Sequence, residues 1–204
     1  MSIHNFIKSI EWTNFKMPLF YESNYGLRFD TRTQGIDIGT LEYFDNAVEK
    51  AITLFLDLFE DAEKFAVVIN SIEEKGKVDI ERWSLNDEVL ECFEVENIEM
   101  ISEVFPYIYG DDDTLLTVRT LVRLDKKDFH YYELIKRICR QDIGRSPSIS
   151  DEVYILNDDL SIAYNFYDDR GLDIGAESGE LLRGVYNLRK DWLYDYDRNH
   201  VIKC

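Results

Sequence analysis

EVYILNDDLSIAYNFYDDRGLDIGA, residues 152–176, reads as three short strands in close succession. Glu152 to Leu156 and Ser161 to Tyr167 are rich in Val, Ile, Tyr and Phe, and Asn157-Asp158-Asp159 between them carries turn chemistry. The glycine at 171 turns the chain again into Leu172 to Ala176. Strands joined this tightly pair antiparallel, because a parallel pair needs a crossover of a dozen residues or more. The stretch therefore predicts a β-meander. Beyond it, Ser178 is placed to cap a helix, and Leu181, Val185, Leu188 and Trp192 step by four, three and four along one expected face.

Working outward, residues 41–60 carry the strongest helical period, with Leu41, Phe44, Val48, Ala51, Phe55 and Leu58 on one face and Thr40 at the N-cap position. Phe65 to Ile69 is a continuous apolar run bounded by charge, the pattern of a buried central strand. Tyr25 to Thr31 alternates and predicts a strand with Leu27 and Phe29 inward. Residues 71–77 are polar and read as an exposed loop. Val89, Phe93, Ile98, Ile101, Val104 and Phe105 suggest helical pieces ended by Pro106. Residues 115–124 predict a strand with Arg119 and Arg123 on one side. A helix from Asp125 to Asp142, with Phe129, Tyr132, Ile135, Ile138 and Cys139 on one face, ends at Gly144. Strands and helices do not alternate strictly, so the expected class is α+β, a mainly antiparallel sheet packed against several helices. Few Pro and Gly and no linker-like stretch favour a single domain over 1–204.

Three widely spaced cysteines, Cys92, Cys139 and Cys204, fit neither a disulfide framework nor a metal spacing, and imply a reduced compartment. The first residues show no leader pattern, and the apolar-rich stretch 47–59 is broken by Glu49, Lys50 and Asp57. A cytoplasmic setting is the expectation. The net charge of −18 disfavours direct nucleic-acid or anionic-membrane binding. Its distribution says more. Residues 83–118 hold ten acids and no Lys, Arg or His. Nine of those acids, Asp87, Glu88, Glu91, Glu94, Glu96, Glu99, Asp111, Asp112 and Asp113, are the candidate partner-binding residues, since a basic protein relieves the repulsion among them. The bland alternative is a solvated acidic face.

Catalytic and cofactor motifs are missing from the sequence: there is no GxSxG, HExxH, GxxxxGK[ST] or GxGxxG. An EF-hand started at Asn165 fails on Tyr167 and on a glycine one place late at 171. No catalytic, cofactor-binding or metal-ligating residue is therefore nominated, and no cofactor is expected. The best-defined constellation is the cluster Asp168, Asp169, Arg170, Asp173, Trp192, Asp195, Asp197 and Arg198, either a lock between hairpin and helix or a recognition surface.

YDDRGLD (167–173) followed by WLYDYDR (192–198) resembles the signature of an uncharacterised bacterial domain-of-unknown-function family. PLFYESNYGLRFD (18–30) and EYFDNAVEKAITLFLDLF (42–59) resemble its N-terminal half. The resemblance implies an architecture and a bacterial cytosolic setting, and no reaction. Small acidic bacterial domains of this size and charge suggest, by analogy, an immunity protein or antitoxin that neutralises a basic toxin domain such as a nuclease. The rival readings are a general interaction module in a regulatory or stress-response complex, and an enzyme with an unrecognised site.

Overall fold

The computed structural model describes residues 3–157 and 159–194. Its centre is a seven-stranded sheet in which every neighbouring pair is antiparallel. In chain order the strands are β1 (Tyr25–Asp30), β2 (Lys64–Glu74), β3 (Glu99–Pro106), β4 (Leu115–Asp125), β5 (Glu152–Asn157), β6 (Ile162–Asp168) and β7 (Gly171–Ala176). Across the sheet they run β1-β7-β6-β5-β2-β4-β3. The expected meander is β5-β6-β7, and the expected central strand is β2, flanked by β5 and β4.

Side chains alternate across the sheet, so each strand feeds two cores. Phe65, Val67, Ile69, Val122, Ile155, Tyr164 and Ile174 face the three long helices α3 (Leu41–Phe59), α5 (Tyr131–Asp142) and α6 (Gly179–Arg189). Phe55 of α3 centres this core, with ring centroids of Phe59, Phe65, Phe129, Tyr131 and Tyr164 4.4 to 6.3 Å away. Ala66, Val68, Leu121, Tyr154, Leu156 and Ala163 face the other way, onto an N-terminal arm. The arm comprises α1 (Ile3–Lys8), the segment through Trp12 and Phe15, and the single turn α2 (Leu19–Glu22), and it buries Phe6, Ile10, Trp12, Phe15 and Leu19.

Local chemistry accounts for the ends of the helices. The Thr40 hydroxyl accepts the Tyr43 N–H at 3.1 Å, and Gly144, at φ +62°, takes the left-handed turn after α5.

Four expectations need correction. Glu99 to Pro106 is β3, although its apolar residues also fit a helical step: register with β4, from Glu99 opposite Arg123 to Pro106 opposite Leu116, overrides local period. Pro106 is tolerated because it ends an edge strand. β2 continues through Glu74, four residues into the expected loop 71–77, because β4 is long enough to pair with it down to Leu115. The helix expected from Asp125 begins only at Tyr131, after a 3-10 turn at Lys126–Asp128; Tyr132 is exposed there and Leu134 is buried. On α6 the buried residues are Leu182 and Val185, while Leu181 and Leu188 face outward. Ser178 sits at that helix's N-cap position without a side-chain bond.

Candidate functional site

The Asp/Arg cluster at the β6–β7 turn is built from its first residue. Asp168 Oδ1 accepts the backbone N–H of Arg170 at 2.8 Å and of Gly171 at 2.9 Å, which closes the turn. Arg170 returns a fork to Asp168, at 3.1 and 2.5 Å, with its side chain 59% exposed. Gly171 allows close approach, since a Cβ there would meet the ring end of Tyr167 and push that side chain aside. Asp169 is buried. Its carbonyl accepts the hydroxyls of Thr31 at 2.9 Å and Tyr43 at 3.4 Å, and its N–H donates to Asp142 at 3.2 Å. Burial, and then the neighbouring Asp142 and Asp168, raise the Asp169 carboxyl above its ordinary range. The turn thus ties β6 and β7 to β1, α3 and α5. Carboxylate oxygens of Asp142, Asp168 and Asp169 lie within 4.8 Å of one another, and all three residues already bond within the turn.

Asp173 does not pair with Arg170. Fully buried, it receives a two-pronged bond from Arg28 at 2.7 and 2.9 Å and the Phe20 N–H at 3.1 Å. Trp192 lies under Arg189 and Lys50, 4.9 and 5.7 Å from their cationic groups, beside the Arg189–Asp57 pair at 2.6 Å. Asp195, Asp197 and Arg198 fall outside the described residues.

A second polar group was invisible as a unit in the sequence. On the arm face of the sheet, Glu152, Asn70, Arg119 and Glu103 stand in one cross-strand row. Arg119 Nε donates to Asn70 Oδ1 at 2.6 Å, and Asn70 Nδ2 donates to Glu152 at 2.7 Å. The carbonyl of Phe15 accepts from both Asn70 and Arg119, the Met17 N–H donates to Glu152 at 3.0 Å, and Tyr109 donates its hydroxyl to the same carboxylate. Burial pushes Glu152 up to about 7 and lowers Arg119 to about 10. Together with Asp173 and Phe20, these groups satisfy the arm's backbone, so their geometry is that of a bed for the arm. Asn165 Oδ1 is buried in the same layer, with no hydrogen-bond partner among the described residues.

The nine candidate acids are all exposed, and they divide. Glu91 pairs with Arg137 at 2.8 Å, Glu94 with His130 at 2.9 Å, and Asp112 bonds Thr114 within its own loop. For Asp87, Glu88, Glu96, Glu99, Asp111 and Asp113, no cationic side chain lies within ion-pair distance among the described residues. Asp87 and Glu88 start the single-turn helix α4 (Asp87–Leu90). Glu96 lies in the 3-10 turn Val95–Asn97 just before β3, Glu99 is the first residue of β3, and Asp111 and Asp113 are in the loop that follows it. That loop opens on a cleft of about 420 Å³ lined by Val104, Pro106, Leu115 and Leu116, with Lys75 as its cation. β3 itself exposes Met100, Ile101 and Val104, each near 40%. In the sequence, Ile101 and Val104 read as part of helical pieces. Only the strand assignment brings them out.

Chemically, the described side chains offer carboxylates and backbone edges rather than an activated nucleophile. Burial pushes the thiols of Cys92 and Cys139 up to about 12, far from the thiolate form.

Comparison with known proteins gives a lineage without an activity. A family model described as "Domain of unknown function (DUF3885)" matches residues 3–197. The chain is 23% identical over 164 residues to the "Uncharacterized protein YnaE" of Bacillus subtilis (strain 168), covering 76% of this chain and 77% of that one. No solved structure matches it significantly. No described helix is long and apolar enough to cross a membrane.

Proposed function

The chain belongs to the family of unknown function DUF3885, and from that premise we propose that it is a non-enzymatic binding protein whose acidic surface engages a basic protein, in the manner of an immunity protein or antitoxin masking a basic toxin domain. The observation that carries this reading is the set of exposed carboxylates flanking β3 that make no ion pair among the described residues, in a stretch of sequence that holds no Lys, Arg or His. Unpaired like charges raise the local potential, and a cationic surface, such as the phosphate-binding face of a nuclease, relieves it and associates faster for it. The proposed setting is the cytoplasm, where such a partner would be neutralised.

Affinity capture from the native host, followed by association kinetics at low and high salt, tests the reading. Glu91, Glu94 and Asp57 are poor choices for charge reversal, because each already bonds a basic side chain, Arg137, His130 and Arg189 respectively. The informative set is Glu96→Lys, Asp111→Lys and Asp113→Lys, compared with Asp45→Lys, Glu49→Lys and Glu180→Lys. At physiological ionic strength screening acts over about 8 Å, so the first set should slow association with the captured partner far more than the second. Equal effects would mean that only global charge matters.

A further inference from the structure

A cleft of about 450 Å³ opens on the arm face, where the start of β2, the end of β4 and the start of β3 lie side by side; Lys64, Ala66, Glu99, Arg123, Asp125 and Leu160 line it. Register sets out its charges in two rows. Arg123 stands between Ala66 and Glu99, and the next row on the same face pairs Lys64 with Asp125, about 6.5–7 Å away at the rise of an extended strand. Ala66 carries only a methyl group, which leaves the space between the two cations open. Leu160 is held in place as a wall, its carbonyl accepting the Trp12 indole N–H at 3.1 Å. Arg123 is half-buried, with its guanidinium 5.1 Å from the centre of the Phe6 ring. Its side chain nevertheless makes no hydrogen bond or ion pair among the described residues, and neither does that of Glu99 across the ladder. Lys64 and Asp125 are 3.9 Å apart, beyond hydrogen-bond reach, and 70% and 49% exposed. A guanidinium resting on a ring is oriented by it and keeps its N–H fork for a planar acceptor.

We propose that this cleft binds a small zwitterion of amino-acid size, whose carboxylate takes the Arg123 fork with Lys64 beside it and whose ammonium group donates to Glu99. A carboxylate matches the fork with two parallel N–H bonds, and charge-assisted bonds of this kind are the strong ones. The charge pattern chooses the ligand. Two cations and two carboxylates line the cleft, so a phosphate or other multiply charged anion is opposed by Glu99 and Asp125, and a bare cation by Arg123 and Lys64. A molecule that carries one charge of each sign meets a partner for both. Ala66 and Leu160 supply the apolar surface for its side chain. The inference goes beyond the acidic-surface reading and does not depend on it, since Glu96, Asp111 and Asp113 lie outside this cleft.

The test titrates the full chain with leucine, chosen for its aliphatic side chain, and then with the other standard amino acids. Calorimetry reads the affinity, and the amide chemical shifts of Ala66, Glu99 and Arg123 read the place. Binding at millimolar concentration is expected. The N-acetyl and carboxamide derivatives of the best ligand each lack one of its two charges, and each should bind at least about tenfold more weakly, the equivalent of about 1.4 kcal/mol. Arg123→Met and Glu99→Gln should each weaken binding by a similar factor. Glu99 is exposed and its side chain holds nothing in the fold, so Glu99→Gln keeps the test intact should Arg123→Met loosen Phe6. Equal binding of the ligand and its N-acetyl derivative would overturn the proposal, because the ammonium group would then have no role. Binding that survives both substitutions, or that shifts amides elsewhere on the sheet, would overturn it as well. So would a failure of every standard amino acid to bind at millimolar concentration and low salt.

Discussion

Arg28→Ala is the substitution whose consequence the structure fixes most tightly. Asp173 is fully buried, and its carboxylate takes both prongs of the Arg28 guanidinium, itself 11% exposed, together with the Phe20 N–H from the arm. The guanidinium also lies 5.1 to 5.9 Å from the rings of Phe20, Tyr21 and Tyr167. Deleting the cation leaves a carboxylate in the interior without its counter-charge, which costs roughly 3–5 kcal/mol. For a domain of this size a kilocalorie moves the midpoint by about 2–4 °C, so Tm should fall by roughly 6–20 °C. Arg170→Ala is the matched control. Its side chain is more than half exposed, although Asp168 is 14% exposed, so its removal should cost less than that of Arg28, whose pair is buried on both sides. Arg28→Met combined with Asp173→Leu should lose less than Arg28→Ala alone, because apolar replacement of a whole buried pair strands no charge. Thermal melts and urea titrations of the four proteins decide it. If Arg28→Ala and Arg170→Ala melt together, the assignment of the buried lock to Arg28 and Asp173 is wrong.

Three further outcomes follow from the geometry. Gly171→Ala should destabilise by roughly 1–3 kcal/mol through its clash with Tyr167, and adding Tyr167→Ala should remove the clash so that the two losses are less than additive in a urea denaturation cycle. Glu152, raised to about 7 in the fold from about 4.3 in the unfolded chain, binds its proton more tightly when folded; its contribution is therefore complete below about pH 4 and is lost as pH rises through 7. Wild-type stability should fall between pH 5 and 7.5 relative to Glu152→Gln, and parallel pH profiles would contradict the assignment. Cys92 and Cys139 should resist a thiol reagent at pH 8 in the native protein and react on unfolding in urea, whereas rapid native labelling of either would deny their burial.

Strand β3 was hidden in the sequence for a physical reason. Residues 98–105 place apolar side chains at positions that suit a helix as well as a strand, and nothing local distinguishes the two. Pairing with β4 decides in favour of a strand, and only then do Met100, Ile101 and Val104 appear as an exposed row. The lock is a similar case. Asp173 stands three residues from Arg170 in the chain, but β7 points its carboxylate to the arm face, where the neighbouring strand supplies Arg28 instead. The row of Glu152, Asn70 and Arg119 needs three strands in register before it exists at all.

What the sequence determined by itself was whatever local chemistry can set. The strand-and-turn alternation of 152–176 encodes an antiparallel meander, the period of 41–60 with Thr40 encodes a capped helix, and the apolar run at Phe65 to Ile69 encodes a central strand. Net charge and its concentration in residues 83–118 were likewise legible, because composition does not depend on folding. The tertiary structure alone decided which acids form ion pairs, which arginine meets which aspartate, and that Glu99–Pro106 is a strand rather than a helix. Each of these depends on partners that are distant in the chain, and strand register, which places them, is a property of the whole sheet.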